Sequence, residues 1–350
     1  MAEKTMRPII AISAGDPAGI GPEIIAMTLG TAGLYTIARP LVICDPAIMQ
    51  KAAGISNTGL KVKVTGDPAG GIYSHGTIDV LEMNNVDMQH FRYGEISPMC
   101  GRASFEYVEK AIALAMNQEV SATVTGPINK ESLHRAGIDF PGHTEIYAHF
   151  TGSCNYAMML ADRSFRVVHV STHVSMLDAI KAIKKERVLN VIRLAEAALK
   201  NIGIAAPRIA VNGLNPHAGE HGLFGREELD EIIPAIEVAR EEGILADGPH
   251  PPDTIFPKMK GGQYDIVVCM YHDQGHIPTK LTGFRYNHEL EVWEGMSGVN
   301  ITLGLPVIRV SVDHGTAFDR AGKGTANPES MIQAIQYAAR MAGQIKETPS

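Results

Sequence analysis

One rhythm in this chain limits what it can fold into. Short apolar runs alternate from end to end with longer stretches whose apolar residues recur at helical spacing. Residues 8–13 (PIIAIS) read as a buried strand that stops before Gly15. Gly21–Leu29 reads as a helix with Pro22 in its first turn. Residues 41–44, 61–64 and 77–81 are further short strands, and 98–118 is a long helix with Phe105, Val108, Ile112 and Met116 on one face. Ala122–Thr125 runs as a strand into Gly126-Pro127, and 156–160 and 166–170 read as a strand pair. Helices over 184–201 and 226–242 flank a strand at 208–211. Strands at 265–270, 298–303 and 307–312 follow, and residues 328–342 form the closing helix. This order predicts an α/β architecture with mostly parallel sheets.

At 350 residues the chain has room for two domains and needs no disulfide staples. It shows no repeat and no Pro/Gly/Ser-rich linker, so a chain crossing between domains more than once fits better than a tandem pair. The expected division is residues 1–128 with 305–350 as one domain, and 129–304 as the other. A net charge of −7 leaves no basic footprint for nucleic acid, although a local anion site needs only a few cations and backbone N–H groups. Cys44, Cys100, Cys154 and Cys269 have no C-x-x-C spacing and read as buried free thiols in a reducing compartment. The polar start, residues 1–8, has no apolar signal core, and no run is long enough to span a bilayer, so a cytoplasmic, membrane-free location is expected.

The polar residues gather where the strands end, which is where open α/β sheets bind ligands. In chain order these ends read GDPAGIGPE (15–23), TGPINK (125–130), VSTH (170–173), NGLNPHAGE (212–220), YHDQGH (271–276) and DHGT (313–316). A single His after a strand is usually a hydrogen-bonded loop residue. His173, His217 and His272, however, follow three separate apolar strands, and parallel packing would bring such ends together. Three imidazoles with one open position make a catalytic divalent-metal site, better suited to zinc and its neighbours than to calcium.

The other motifs leave two readings open. GDPAGIGPE is glycine-rich and opens a helix, but it lacks the G-x-G-x-x-G spacing and Pro17 removes a backbone donor. It is either a phosphate loop or a tight strand-to-helix turn, with Asp16 and Glu23 as candidates for orienting other groups. In FPGHTE (140–145), Thr144 is a candidate cap, or His143 and Thr144 hold an anion at a helix start. Lys130, Lys280 and Arg309 are either anion-binding cations or surface charges. DHGTAFDRAGKGTANP (313–328) reads from composition as an ordered functional loop or a flexible surface loop.

Taken together, GDPAGIGPE, VTGPINK, FPGHTE, STH, GLNPHAGE, YHDQGH and GVNITLGLPVIRVSVDHGTA (298–317) resemble the 4-hydroxythreonine-4-phosphate dehydrogenase family over nearly the whole chain. The resemblance implies two α/β/α domains with a cleft between them, isocitrate/isopropylmalate dehydrogenase-like and not a classical Rossmann fold. It implies a divalent metal on His173, His217 and His272: zinc, another transition metal, or magnesium. Substrate contacts fall on His143, Thr144, Lys280, Asn300 and Arg309, and catalytic positions on Asp253 and Asp273. The 313–328 loop is similar to the NAD loop of the β-decarboxylating dehydrogenases. That similarity assigns cofactor contact to His314, Gly315, Thr316, Ala317 and Asn327, and NAD in preference to NADP. The family works as a homodimer with shared active sites.

Two departures stand out. The segment 281–297, between the Lys and the Asn of the substrate set, is longer than usual and carries the only Trp, Trp293. The run HIPTK (276–280) is more similar to a paralogous branch acting on 4-phosphorylated threonate or erythronate, in sugar-acid breakdown instead of vitamin B6 synthesis. The expected reaction is metal-dependent, NAD-linked oxidation of a 4-phosphorylated hydroxy acid with decarboxylation. The alternative is a metal-dependent hydrolase acting on a phosphorylated small molecule, for which the 313–328 loop has no use. A non-catalytic metal or ligand binder is a third reading, disfavoured by the number of substrate-fixing groups.

Overall fold

The computed structural model describes residues 7–288, 292–296 and 298–343. They form two compact units, and the chain enters each more than once. The first takes residues 7–154, the stretch between 286 and 299, and 305–343; the second takes 155–285 and 300–304.

The strands, in chain order, begin with β1 (Ile9–Ser13), β2 (Arg39–Cys44), β3 (Lys61–Thr65), β4 (Thr77–Glu82) and β5 (Ala122–Thr125). Then come β6 (Ala157–Asp162), β7 (Phe165–His169), β8 (Ile209–Asn212), β9 (Ala246–His250) and β10 (Ile266–Cys269). The last are β11 (Phe284–Asn287), β12 (Val292–Met296), β13 (Val299–Leu303) and β14 (Arg309–Val312). In the first unit the sheet order is β3-β4-β2-β1-β5-β14, parallel throughout. Ile10 and Ile12 of β1 pair with Ala122 and Val124 of β5, and all four are fully buried. Helices on both faces explain why these strands are unbroken apolar runs. The helix Pro98–Met116 packs Val108 and Ile112 against Ile146, Tyr147 and Val307.

The second unit orders its strands β13-β6-β7-β10-β8-β9. β6 and β7 form an antiparallel hairpin, the expected strand pair, while β7, β10, β8 and β9 run parallel. Its core joins Leu160, Phe165, Val167, Ala210 and Val267 to Ile255 and Met259 of the helix Pro252–Lys260. β11 and β12 make a small sheet of their own within the longer segment 281–297, part of which lies outside the described residues.

Three expectations need correction. The helix expected over 226–242 is a π turn, Glu228–Ile232, followed by an α-helix, Ile233–Glu241. Pro234 has no N–H to return to Asp230, and the wider turn absorbs the lost bond. Thr144 does not cap: Gly142 holds the N-cap position of the helix His143–Thr151 and no side chain caps it. Cys154 is exposed, whereas Cys44, Cys100 and Cys269 are buried free thiols. Among the described residues, no helix is long and apolar enough to cross a membrane.

Candidate active site

The second unit gathers imidazoles. β7, β10 and β8 are adjacent and parallel, with Cys269 opposite His169 and Val268 opposite Val211. Their carboxyl ends therefore lie side by side, and His173, His272 and His217 are in the segments that leave them. The His173 and His272 rings stand 5.7 Å apart. Both line a cleft of ≈520 Å³ shared with Thr172, Tyr271 and Asp273. His272 is the first residue of the helix His272–Gly283, and its Nδ1 lies 2.6 Å from the Asp273 carboxylate. A carboxylate on one ring nitrogen fixes the imidazole's tautomer and leaves the other nitrogen free to ligate.

Two further histidines, neither expected as a site residue, pack behind His272. His276, one turn later on the same helix, stacks on it with centroids 3.6 Å apart and planes 10° off parallel. His169 of β7 lies 4.8 Å from His276. Burial pushes His276 down to about 3 and His169 down to about 4, so both are neutral. The i, i+4 spacing of His272 and His276 is a legible signal that they share a helix face; His169, inside an apolar strand, offers none.

His217 stands apart from this group. It lines a separate cavity of ≈260 Å³ with Glu220, His221 and Leu229. Residues 217–221 all have positive φ, a left-handed turn. The buried carboxylate of Glu228 holds the loop, accepting from Leu214 N–H (2.7 Å), Asn215 N–H (2.7 Å) and the Asn215 amide (2.8 Å). Among the described residues, no three His, Cys, Asp or Glu side chains stand close enough to share a metal ion. The structure thus brings two of the expected ligands together and places the third on the neighbouring strand end. Lys280 lies further along the His272 helix, with its ammonium 5.6 Å from the Phe284 ring centroid. Asn300, on β13, reaches Met158 Sδ at 2.8 Å. Asp253 is exposed in the first turn of Pro252–Lys260.

The first unit holds a different site. Arg309, at the start of β14, is only 3% exposed. It donates to Thr125 Oγ1 at 3.0 Å and lies over the Tyr147 ring. Burial lowers its pKa to about 10, which still leaves it charged near neutrality. His143 is pushed well below the usual imidazole range, first by burial and then by Arg309. Its buried Nε2 finds no hydrogen-bond partner among the described residues. Thr125, Lys130, Gly142, His143, His314 and Gly315 line a cavity of ≈150 Å³. Lys130, a neutral imidazole and an uncapped helix start suit an anionic group, with the buried Arg309 charge close to His143.

The 313–328 loop of the same unit is ordered by contacts with residues 15–23. That stretch is a tight strand-to-helix turn: a Cβ on Gly15 (φ +77°) would sit 2.3 Å from the Pro127 carbonyl. Ile20 N–H donates to the Thr316 carbonyl at 3.0 Å, and a Cβ on Gly19 would press on Thr316 at 3.0 Å. Ala317 takes a positive φ of 42°. Asn327 Oδ1 accepts from Glu329 N–H at 2.8 Å, at the entry to the helix Glu329–Met341. The fully buried Glu23 carboxylate accepts from the Gly322 and Gly324 amides, the latter at 2.9 Å.

Imidazoles at adjacent parallel strand ends, together with a cavity lined by Lys130, His143 and His314 at the start of a glycine-rich loop, define an α/β enzyme fold. That fold matches 4-hydroxythreonine-4-phosphate dehydrogenase from Klebsiella pneumoniae with a TM-score of 0.86 and 41% identity, over 98% of this chain and 100% of that one. A D-threonate 4-phosphate dehydrogenase from Cupriavidus necator is 44% identical, covering 96% of this chain and 97% of that relative. A 4-hydroxythreonine-4-phosphate dehydrogenase from Desulforapulum autotrophicum is 45% identical, covering 96% of each. The family described as pyridoxal phosphate biosynthetic protein PdxA matches residues 36–338. The chain belongs to the PdxA family.

Proposed function

We propose that this chain is an NAD-dependent, metal-dependent oxidoreductase that oxidises the secondary alcohol of a 4-phosphorylated hydroxy acid and decarboxylates the product. The observation that carries this reading is the β7-β10-β8 adjacency, which sets His173, His272 and His217 at neighbouring strand ends. These residues would hold the divalent metal: zinc, another transition metal or magnesium. The donor chemistry fits at His272, where the Asp273 carboxylate on Nδ1 orients the ring and leaves its other nitrogen to ligate. When bound, the nicotinamide would supply a hydride acceptor and the metal would supply Lewis-acid polarisation for the oxidation and the decarboxylation.

The chain's own side chains do the rest. Arg309, His143, Thr144, Lys280 and Asn300 fix the phosphate and carboxylate ends of the substrate, which holds the alcohol in register for reaction. His143, kept neutral by burial, donates or accepts one hydrogen bond without adding charge. Asp253 or Asp273 takes the hydroxyl proton; the 2.6 Å contact between Asp273 and His272 Nδ1 favours an orienting role for Asp273 and leaves Asp253 for the proton. His314, Gly315, Thr316, Ala317 and Asn327 contact the cofactor, NAD in preference to NADP. The protein works as a homodimer with shared active sites in the cytoplasm, a compartment that suits its free thiols. The HIPTK run favours D-threonate 4-phosphate over the amino-bearing substrate.

The test is NADH formation by metal-loaded protein offered D-threonate 4-phosphate, D-erythronate 4-phosphate and 4-hydroxythreonine-4-phosphate side by side. Turnover of a sugar-acid phosphate is expected, and His→Ala at 173, 217 or 272 should abolish it with the fold retained. Turnover of the amino substrate alone would overturn the substrate preference. Absence of NADH from all three would overturn the dehydrogenase reading and favour the hydrolase.

A further inference from the structure

We infer that Glu23 is a positioning residue for the cofactor loop, acting through the backbone of Gly322 and Gly324. The inference rests on the reading of residues 313–328 as that loop. Glu23 lies in the first turn of the helix Gly21–Leu29 and has no exposed surface. An acidic side chain there is favoured by the helix's positive end. Its two carboxylate oxygens are divided between the loop's two amides: Oε1 accepts from Gly322 N–H and Oε2 from Gly324 N–H (2.9 Å). Both glycines lie in the left-handed region, at φ +79° and +65°. Their amides therefore turn toward one acceptor in a conformation that a side-chain-bearing residue adopts with strain.

The surroundings leave no easy substitute. The Tyr93 ring closes over Gly322, where a Cβ would meet it at 2.8 Å, and the Ile55 carbonyl closes over Gly324 at 2.8 Å. On the near side, Ile20 N–H holds the Thr316 carbonyl, so the loop is fastened at two places to one short stretch, residues 20–23. A carboxylate is the side chain this position needs, because it presents acceptors on both oxygens. Glutamine has the same shape but would turn an NH2 group toward one of the two N–H donors. That costs one bond and adds a donor–donor contact in a buried site, at the point where the loop must be held to receive the dinucleotide.

Glu23→Gln tests this because it keeps the side-chain volume, so a purely packing role would not respond. Amide hydrogen exchange across residues 319–327, measured without cofactor, should be faster in the variant and unchanged in the sheet. In turnover, KM for NAD should rise about tenfold to a hundredfold, the range for a lost charge-assisted buried bond, with kcat within about twofold. Glu23→Asp keeps both acceptors at shorter reach and should fall between wild type and Glu23→Gln in both readouts; it also serves if the amide variant does not fold. Unchanged exchange in the loop, or an equal fall in kcat and kcat/KM with KM for NAD unmoved, would overturn the inference. If wild-type protein does not use NAD at all, the reading of the loop fails, while the exchange measurement still decides whether Glu23 orders it.

Discussion

Asp16 is a carboxylate in a place that does little for its charge. It is fully buried, and burial raises its pKa to about 6, against the partial relief given by the Ala18 N–H and the Ser132 hydroxyl. The folded value lies above the unfolded one, so the protonated form favours the fold. That contribution is full below about pH 4 and is lost as pH rises through about 6, a change of roughly 3 kcal/mol. Asp16→Asn keeps an acceptor for Ala18 and removes the titration. Urea unfolding followed from pH 4 to 7 should therefore show wild type losing stability relative to the variant across that window. A constant offset between the two would show that Asp16 has the same pKa folded and unfolded.

At the scale of elements, the loop that carries His217 depends on a residue from the next turn of structure. Glu228 sits on the π turn that Pro234 imposes, and its carboxylate collects three donors from residues 214 and 215. Glu228→Gln should destabilise the protein by about 1–3 kcal/mol and weaken zinc binding about tenfold to a hundredfold, through the position of His217. Calorimetric melting and zinc titration read the two effects separately; lower stability with unchanged zinc affinity would remove His217 from the metal site. The strands that frame this region are plain in the sequence, because a strand buried on both faces is a continuous apolar run. Which strands are neighbours is not, since periodicity carries no pairing information. Hence His173, His217 and His272 can be picked out by spacing, while the β7-β10-β8 order that relates them needs the fold. Glu228 and the π turn are illegible for another reason: one Glu among Glu227, Glu228, Asp230 and Glu231 looks like solvated surface. β9 (ADGPH) escapes because it has no apolar alternation at all.

At the scale of the whole molecule, the question is what covers the residues beside His173. Val174, Met176 and Leu177 follow it directly and are 55%, 55% and 63% exposed. Apolar side chains grouped at this exposure mark a contact surface more often than solvent-facing helix. The homodimer proposed above supplies the partner: a second copy seated here would bury these side chains and exclude water from the cleft that His173 and His272 line. Two identical chains related by a twofold axis would each present the same face. A charge in that face should separate the copies without unfolding either, because Leu177 contributes little to its own core. Leu177→Asp is therefore expected to sediment as a monomer, to melt within a few degrees of wild type, and to lose most NADH formation. A dimer with full activity would move the interface elsewhere, and an active monomer would show that each chain completes its own site.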